Sequence, residues 1–228
     1  MRTIGHALRV AAGAATLLSA PLGVARADII TFSTFGSFSS FLQQNDGSVE
    51  NVLTPGTFTG TTVSGFTNQT NTEVNVRSLT STMLSVAAAN GQARFTGSGG
   101  ADIGAGGFVI SLPGTTTFTA LAFNLNGTQG TSGTVGITTL EPNNQTTLTN
   151  FDIGAGSNFF GVIAYNNQSI SSVTVGGGLS LSALEQVRIG GIGGPGGGSV
   201  VPEPGTWALL CTGLVVLGGV AARRKRTA

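Results

Sequence analysis

Residues 115–125 carry the most constraining pattern in this chain. Leu121, Phe123 and Leu125 alternate with Ala122 and Asn124, and Asn126-Gly127 follows at once. A period of two places the apolar side chains on one face of an extended strand, and Asn-Gly signals a turn. A chain made of such units must pair strand with strand and cover the shared apolar face with a second layer.

The unit recurs along the chain. Residues 28–34 read as a first strand, with Ile30 and Phe32 on one face, and Val74 and Val76 alternate within 73–79. Residues 83–89 and 93–95 flank Asn90-Gly91, whose tolerance of positive φ suits a type I′ hairpin turn. Residues 108–112 end at Pro113-Gly114, and 134–140 and 146–151 flank Glu141-Pro142-Asn143-Asn144, all turn-forming residues. Residues 57–63 alternate weakly. Residues 159–164 are apolar without alternation, as in a central strand covered on both faces, and 170–175 are expected to pair with them. Leu179, Leu181, Ala183, Val187 and Ile189 close the series, and Glu185 interrupts their face, which predicts a bulge or turn near 182–185. Phe35, Phe38, Phe41 and Leu42 instead recur at helical spacing, ended by Asn45-Asp46-Gly47. Many short strands with turns every ~8–12 residues predict an all-β fold, a single β-sandwich over 28–189.

Charge narrows the function. The whole chain is formally +1, but Arg2, Arg9 and Arg26 lie near the N-terminus and four basic residues close the C-terminus. Between 28 and 200, Arg77, Arg94 and Arg188 stand against Asp28, Asp46, Glu50, Glu73, Asp102, Glu141, Asp152 and Glu185: three against eight, a net −5. Nucleic acid and anionic membrane are poor partners for such a domain. The one cysteine, Cys211, and the one histidine, His6, lie outside 28–200. The domain therefore has no disulfide, no Cys or His metal site and no His-based triad.

The termini read as addresses. Arg2 and Arg9, an apolar stretch over 10–18, and Ala25-Arg26-Ala27 have the three parts of a signal peptide, with cleavage expected after Ala27. At the other end, residues 207–222 carry no charge, and about 16 helical residues span ~24 Å, slightly short of a bilayer core. Trp207 suits the interface, and Arg223, Arg224, Lys225 and Arg226 would stop transfer and stay in the cytoplasm. Pro202 and Pro204 prevent the helix from extending backwards. Residues 190–201, rich in glycine, form a linker reaching ~17 Å.

Pro202-Glu203-Pro204, then a short glycine-bearing apolar helix at 206–222, then Arg223-Arg224-Lys225-Arg226, resembles the PEP-CTERM sorting signal, here over 202–228. The resemblance implies recognition and cleavage by an exosortase, a membrane-embedded cysteine transpeptidase-like enzyme. It also implies a precursor held transiently in the inner membrane and delivery to the surface or matrix of an exopolysaccharide-producing Gram-negative bacterium. Residues 159–164, 170–175 and 184–190 resemble the closing strands of jelly-roll domains often found before this signal. Such domains often carry an Asp or Asn near the last strand, where this chain has Glu185.

Four further patterns bear on function. Gly191-Ile192-Gly193-Gly194-Pro195-Gly196 matches G-x-G-x-x-G, but Pro195 denies the helix that dinucleotide binding needs. Asp102-Ile103-Gly104-Ala105-Gly106 recurs as Asp152-Ile153-Gly154-Ala155-Gly156. Two Asp-capped turns are the simple reading and a pair of calcium or sugar loops the sharper one, though one carboxylate per loop is few. Asn68, Asn126, Asn144 and Asn167 begin sequons and are read as turn residues. The eight carboxylates show no glycosidase motif, and with Tyr165 as the domain's one Tyr or Trp, a flat platform for sugar stacking is nearly absent. The expected function is a non-enzymatic exported surface or matrix protein without cofactor or metal. The alternative is a carbohydrate-binding module associating with exopolysaccharide.

Overall fold

The computed structural model describes residues 28–45, 47–104, 106–128 and 132–193. The expected signal peptide with Ala25 and Ala27, most of the linker, and the tail with Pro202, Glu203, Pro204, the 206–222 helix and Arg223, Arg224, Lys225 and Arg226 lie outside the described residues. Among the described residues no helix is long and apolar enough to cross a membrane.

Two antiparallel sheets form a jelly-roll-like sandwich. The first, sheet A, runs β1 (Asp28–Phe32), β12 (Gly156–Tyr165), β9 (Ala120–Gly127), β14 (Leu181–Gly190), β7 (Gln92–Gly97), β6 (Leu84–Ala89) and β3 (Phe58–Gly60). The second, sheet B, runs β2 (Glu50–Leu53), β4 (Thr62–Thr67), β5 (Glu73–Ser78), β8 (Phe108–Ser111), β13 (Ser172–Gly176), β10 (Gly133–Leu140) and β11 (Thr146–Ile153). Alternate residues of both sheets meet in one core, where Phe95, Phe108, Phe118, Phe123 and Phe160 are fully or almost fully buried. The period of two read in the sequence is the origin of this core: inward residues reach it and outward ones do not.

β14 joins the sheets. Along one edge it pairs with β9 throughout. Along the other it meets β7 at Leu184 opposite Phe95, then β2 at Arg188 opposite Asn51 and Ile189 opposite Glu50. Register shifts fall between Leu181 and Ala183 and between Glu185 and Arg188, with Gln186 at φ 51°. The expected bulge is present, and it lies where the strand changes partner, since an extra residue bends and twists a strand locally.

The aromatic run forms α1 (Phe35–Gln44), capped by the Thr34 hydroxyl accepting from the Ser37 N–H at 3.4 Å. Its buried Phe38 lies on Ala120, Ala122 and Ile163, on the outer face of sheet A. β12 is thus covered by core on one side and helix on the other, as its continuous apolar run requires. The hairpin of β6 and β7 turns at Asn90 (φ 49°) and Gly91 (φ 77°), both left-handed as a type I′ turn demands.

Three expectations need correction. Residues 170–175 do not pair with 159–164. Both edges of β12 are taken, by β1 and β9, and β13 lies between β8 and β10 in the opposite sheet. The connection that begins at Asn166 is long enough to cross the roughly 10 Å between sheets, and Ile170 bridges Phe118 on the way. Residues 57–63 are not one strand: β3 joins sheet A and β4 sheet B, with the break at Thr61. Residues 115–119 do not extend the strand of Leu121. Thr117 and Phe118 make isolated bridges to Gly193 and Ile170, and the strand runs on through Asn126 and Gly127.

Candidate binding face on sheet A

α1 covers only part of the outer face of sheet A. Beside its first turn a polar strip stays open, built from β2, β7, β9 and β14. Register decides which side chains it contains. Leu125 and Leu184 are paired and point into the core, so the next pair, Asn124 and Glu185, points outward. Phe95 opposite Leu184 likewise sends Arg94 outward, and Ala93 in the core sends Gln92 outward. Arg188 faces out opposite Ala122 on one side and Asn51 on the other.

These groups hold one another. Arg94 Nε lies 2.7 Å from Glu185 Oε1. Asn51 Oδ1 accepts from Arg188 Nε at 3.0 Å and from Gln92 Nε2 at 3.3 Å. Asn124 Nδ2 donates to Gln186 Oε1 at 3.1 Å. The Arg188 guanidinium stands 5.3 Å from the ring centre of Phe35, which is 50% exposed and packs edge-on against Phe159 at 5.5 Å. Beside the Arg94–Glu185 pair opens a hollow of about 180 Å³ whose wall also includes Gln92, Asn90 and Gln186. Gln92 Oε1 is buried without a hydrogen-bond partner among the described residues. Guanidinium and amide donors, a carboxylate acceptor and an exposed aromatic ring along one strip can take a ligand dense in hydroxyls. A larger hollow of about 400 Å³, at the sandwich end near Tyr165, Gln168, Thr119 and Ile192, has no charged side chain in its lining among the described residues.

The repeated Asp-Ile-Gly-Ala-Gly segments are not equivalent. Asp102 Oδ2 accepts from Ser180 Oγ at 2.8 Å and Thr128 Oγ1 at 3.1 Å, whereas Asp152 belongs to β11 and accepts from Thr134 Oγ1 at 3.0 Å. Gly104 has φ +88° in the first segment and Gly156 has φ +83° in the second, at different positions of the repeat. Each aspartate meets hydroxyls, and no group of three or more His, Cys, Asp or Glu able to hold a metal occurs among the described residues. Elsewhere Glu50 Oε2 accepts from the Thr70 and Gln69 N–H groups at 2.8 and 2.9 Å, and Glu73 accepts from Ser64 at 2.7 Å. Partial desolvation works against ionisation of Glu50, yet the donors of Thr70 and Gln69 outweigh it and lower its pKa. Of the sequon asparagines, Asn144 and Asn167 occupy left-handed turns, whereas Asn126 is inside β9.

The strip was not legible as a site in the sequence. Its residues come from four strands, and the one local signal was Glu185 interrupting an apolar face.

At the far end of the chain, residues 200–226 match the PEP-CTERM protein-sorting motif. The chain carries a PEP-CTERM sorting signal. A PEP-CTERM signal implies exosortase-dependent export. No curated protein matches the chain. Among solved structures, a family 11 carbohydrate-binding module from Clostridium thermocellum in complex with a β-1,3-1,4-mixed-linked tetrasaccharide shares 11% identity, with 63% of this chain and 95% of that one covered and a TM-score of 0.26. The family 11 module of a cellulosomal cellulase from the same organism shares 8%, covering 59% and 85%, with a TM-score of 0.24. The enzymatically active domain of tailspike protein 4 of bacteriophage CBA120 shares 15%, covering 74% of this chain and 19% of that one, also with a TM-score of 0.24. Likeness at this level carries no function to this chain.

Proposed function

We propose that this chain is a non-catalytic surface or matrix protein, exported through its PEP-CTERM signal, whose sheet A strip binds the exopolysaccharide it is delivered to. The observation that carries the binding reading is the cross-linked strip itself: Arg94 with Glu185, Arg188 and Gln92 on Asn51, and Phe35 beside Arg188. Sugar hydroxyls pair with guanidinium, amide and carboxylate groups, and their C–H faces lie on aromatic rings. Side chains already tied together lose less rotamer freedom when a ligand arrives. An open strip suits a polymer, which must lie across it rather than be enclosed.

The tail supplies the address. A short apolar helix stopped by Arg223, Arg224, Lys225 and Arg226 holds the precursor in the inner membrane while exosortase acts near Pro202-Glu203-Pro204. The N-terminal signal is removed after Ala27. The exported domain works without a cofactor.

Affinity gel electrophoresis through the producing strain's exopolysaccharide tests the binding reading. Wild-type protein is retarded; Arg188→Ala and Arg94→Met lose most of the retardation. Arg77→Ala, which removes the same charge from the exposed side of β5 on the other sheet, keeps it. Equal migration with and without polysaccharide, or equal loss in all three variants, would refute the strip as the site.

A further inference from the structure

β11 (Thr146–Ile153) ends the strand order of sheet B, and among the described residues it pairs with β10 alone. Half of its backbone N–H and C=O groups therefore point away from any described strand, along eight residues. The corresponding borders of sheet A are shorter: β1 has five residues and β3 has three. Exposed edges are usually blunted by lysine, proline, a bulge or brevity. β11 has none of these. Its sequence contains no basic residue and no proline, its register with β10 is unbroken, and Asp152 is its one charge. Leu148, on its outer face, is 62% exposed, more than any other large hydrophobic side chain among the described residues.

We propose that β11 is a self-association strand, through which two copies of this chain join edge to edge about a two-fold axis. In an antiparallel register centred on Thr149, Asp152 faces Thr146 of the partner subunit and Leu148 faces Asn150 of the partner subunit. No charge meets its like, and the Leu148 side chains lie on one face across the junction. Such an interface is isologous, so it closes at a dimer. The backbone groups that β10 leaves free are satisfied by an identical set, which is why a second copy suits this edge. The sheet A strip is on the other sheet and stays open in the dimer, giving a bivalent binder.

Sedimentation of the full chain in detergent, over a dilution series, tests this. The wild type shows a reversible monomer–dimer equilibrium. Leu148→Asp sets a new carboxylate diagonal to Asp152 of the partner subunit and to the same new carboxylate on the other copy. It raises the dissociation constant about tenfold or more. The exposed position leaves the melting temperature of the monomer unchanged. In a Cys211→Ala background, Thr149→Cys gives an oxidised dimer band, and Arg77→Cys does not. Arg188→Ala leaves the dimer intact, so loss of sugar binding and loss of the dimer are separable. A monomer at all concentrations, a dimer indifferent to Leu148→Asp, or open-ended assembly would overturn the proposal.

Discussion

The backbone of Gly161 lies directly beneath the ring of Phe38: a Cβ there would stand 2.3 Å from Phe38 Cδ2. With Ala120 and Ala122 on the neighbouring strand, this forms the trench in which α1 rests. Gly161→Ala overfills it. Overpacking costs about 1–3 kcal/mol, which for a domain of this size lowers the melting temperature by about 3–10 °C. Thermal denaturation measures the fall, and a Phe38→Leu background should absorb part of it, because the two positions are in contact.

Arg94 and Glu185 should matter more to binding than to folding. Their side chains are 45% and 27% exposed, and ion pairs in such settings contribute about 0–1 kcal/mol. Arg94→Met is expected to leave the denaturant midpoint nearly unchanged while reducing retardation by exopolysaccharide. A matched loss in both measurements would mark the pair as structural.

Glu50 should make the β4–β5 loop sensitive to acid. Its folded pKa is below the ordinary 4.5, so its contribution to stability is present above the unfolded value and lost as pH falls through the folded one. Glu50→Gln keeps the shape and removes the charge, and costs about 1 kcal/mol or less, since water screens a partly exposed carboxylate. Melting curves of wild type and variant should be separated at pH 7 and converge as pH falls below 4.5.

The tail should be absent from the delivered protein. Mass spectrometry of the exported form is expected to show no peptide containing Arg223, Arg224, Lys225 or Arg226. Cells lacking exosortase should accumulate the chain with its tail still attached in the membrane fraction. Changing Pro202, Glu203 and Pro204 together to alanine should reproduce that accumulation in cells that have the enzyme.

Several features were readable because they depend on neighbours in sequence. The β6–β7 hairpin follows from Asn90-Gly91, whose backbone angles are local. The burial of β12 on both faces follows from an apolar run without alternation. The bulge in β14 follows from Glu185 breaking an apolar face. The helix follows from the spacing of Phe35, Phe38, Phe41 and Leu42. The sorting motif is linear by nature, since it is matched along the consecutive residues 200–226.

Partner choice was a different matter. β13 and β12 adjoin in sequence, yet they lie in opposite sheets, because both edges of β12 were already filled. Residues 57–63 contain no mark of the sheet change at Thr61. The polar strip required Asn51, Gln92, Asn124 and Arg188 to converge from four strands, and pairing over such distances depends on which edges remain free after the others have closed. Residue order therefore settled strand period, the β6–β7 turn, the helix and the sorting motif, each governed by local backbone preference or a contiguous sequence. The assembled core alone decided sheet membership, the junction at β14 and the constellation beside Phe35, because edge-to-edge hydrogen bonding and face-to-face burial are satisfied only by all strands together.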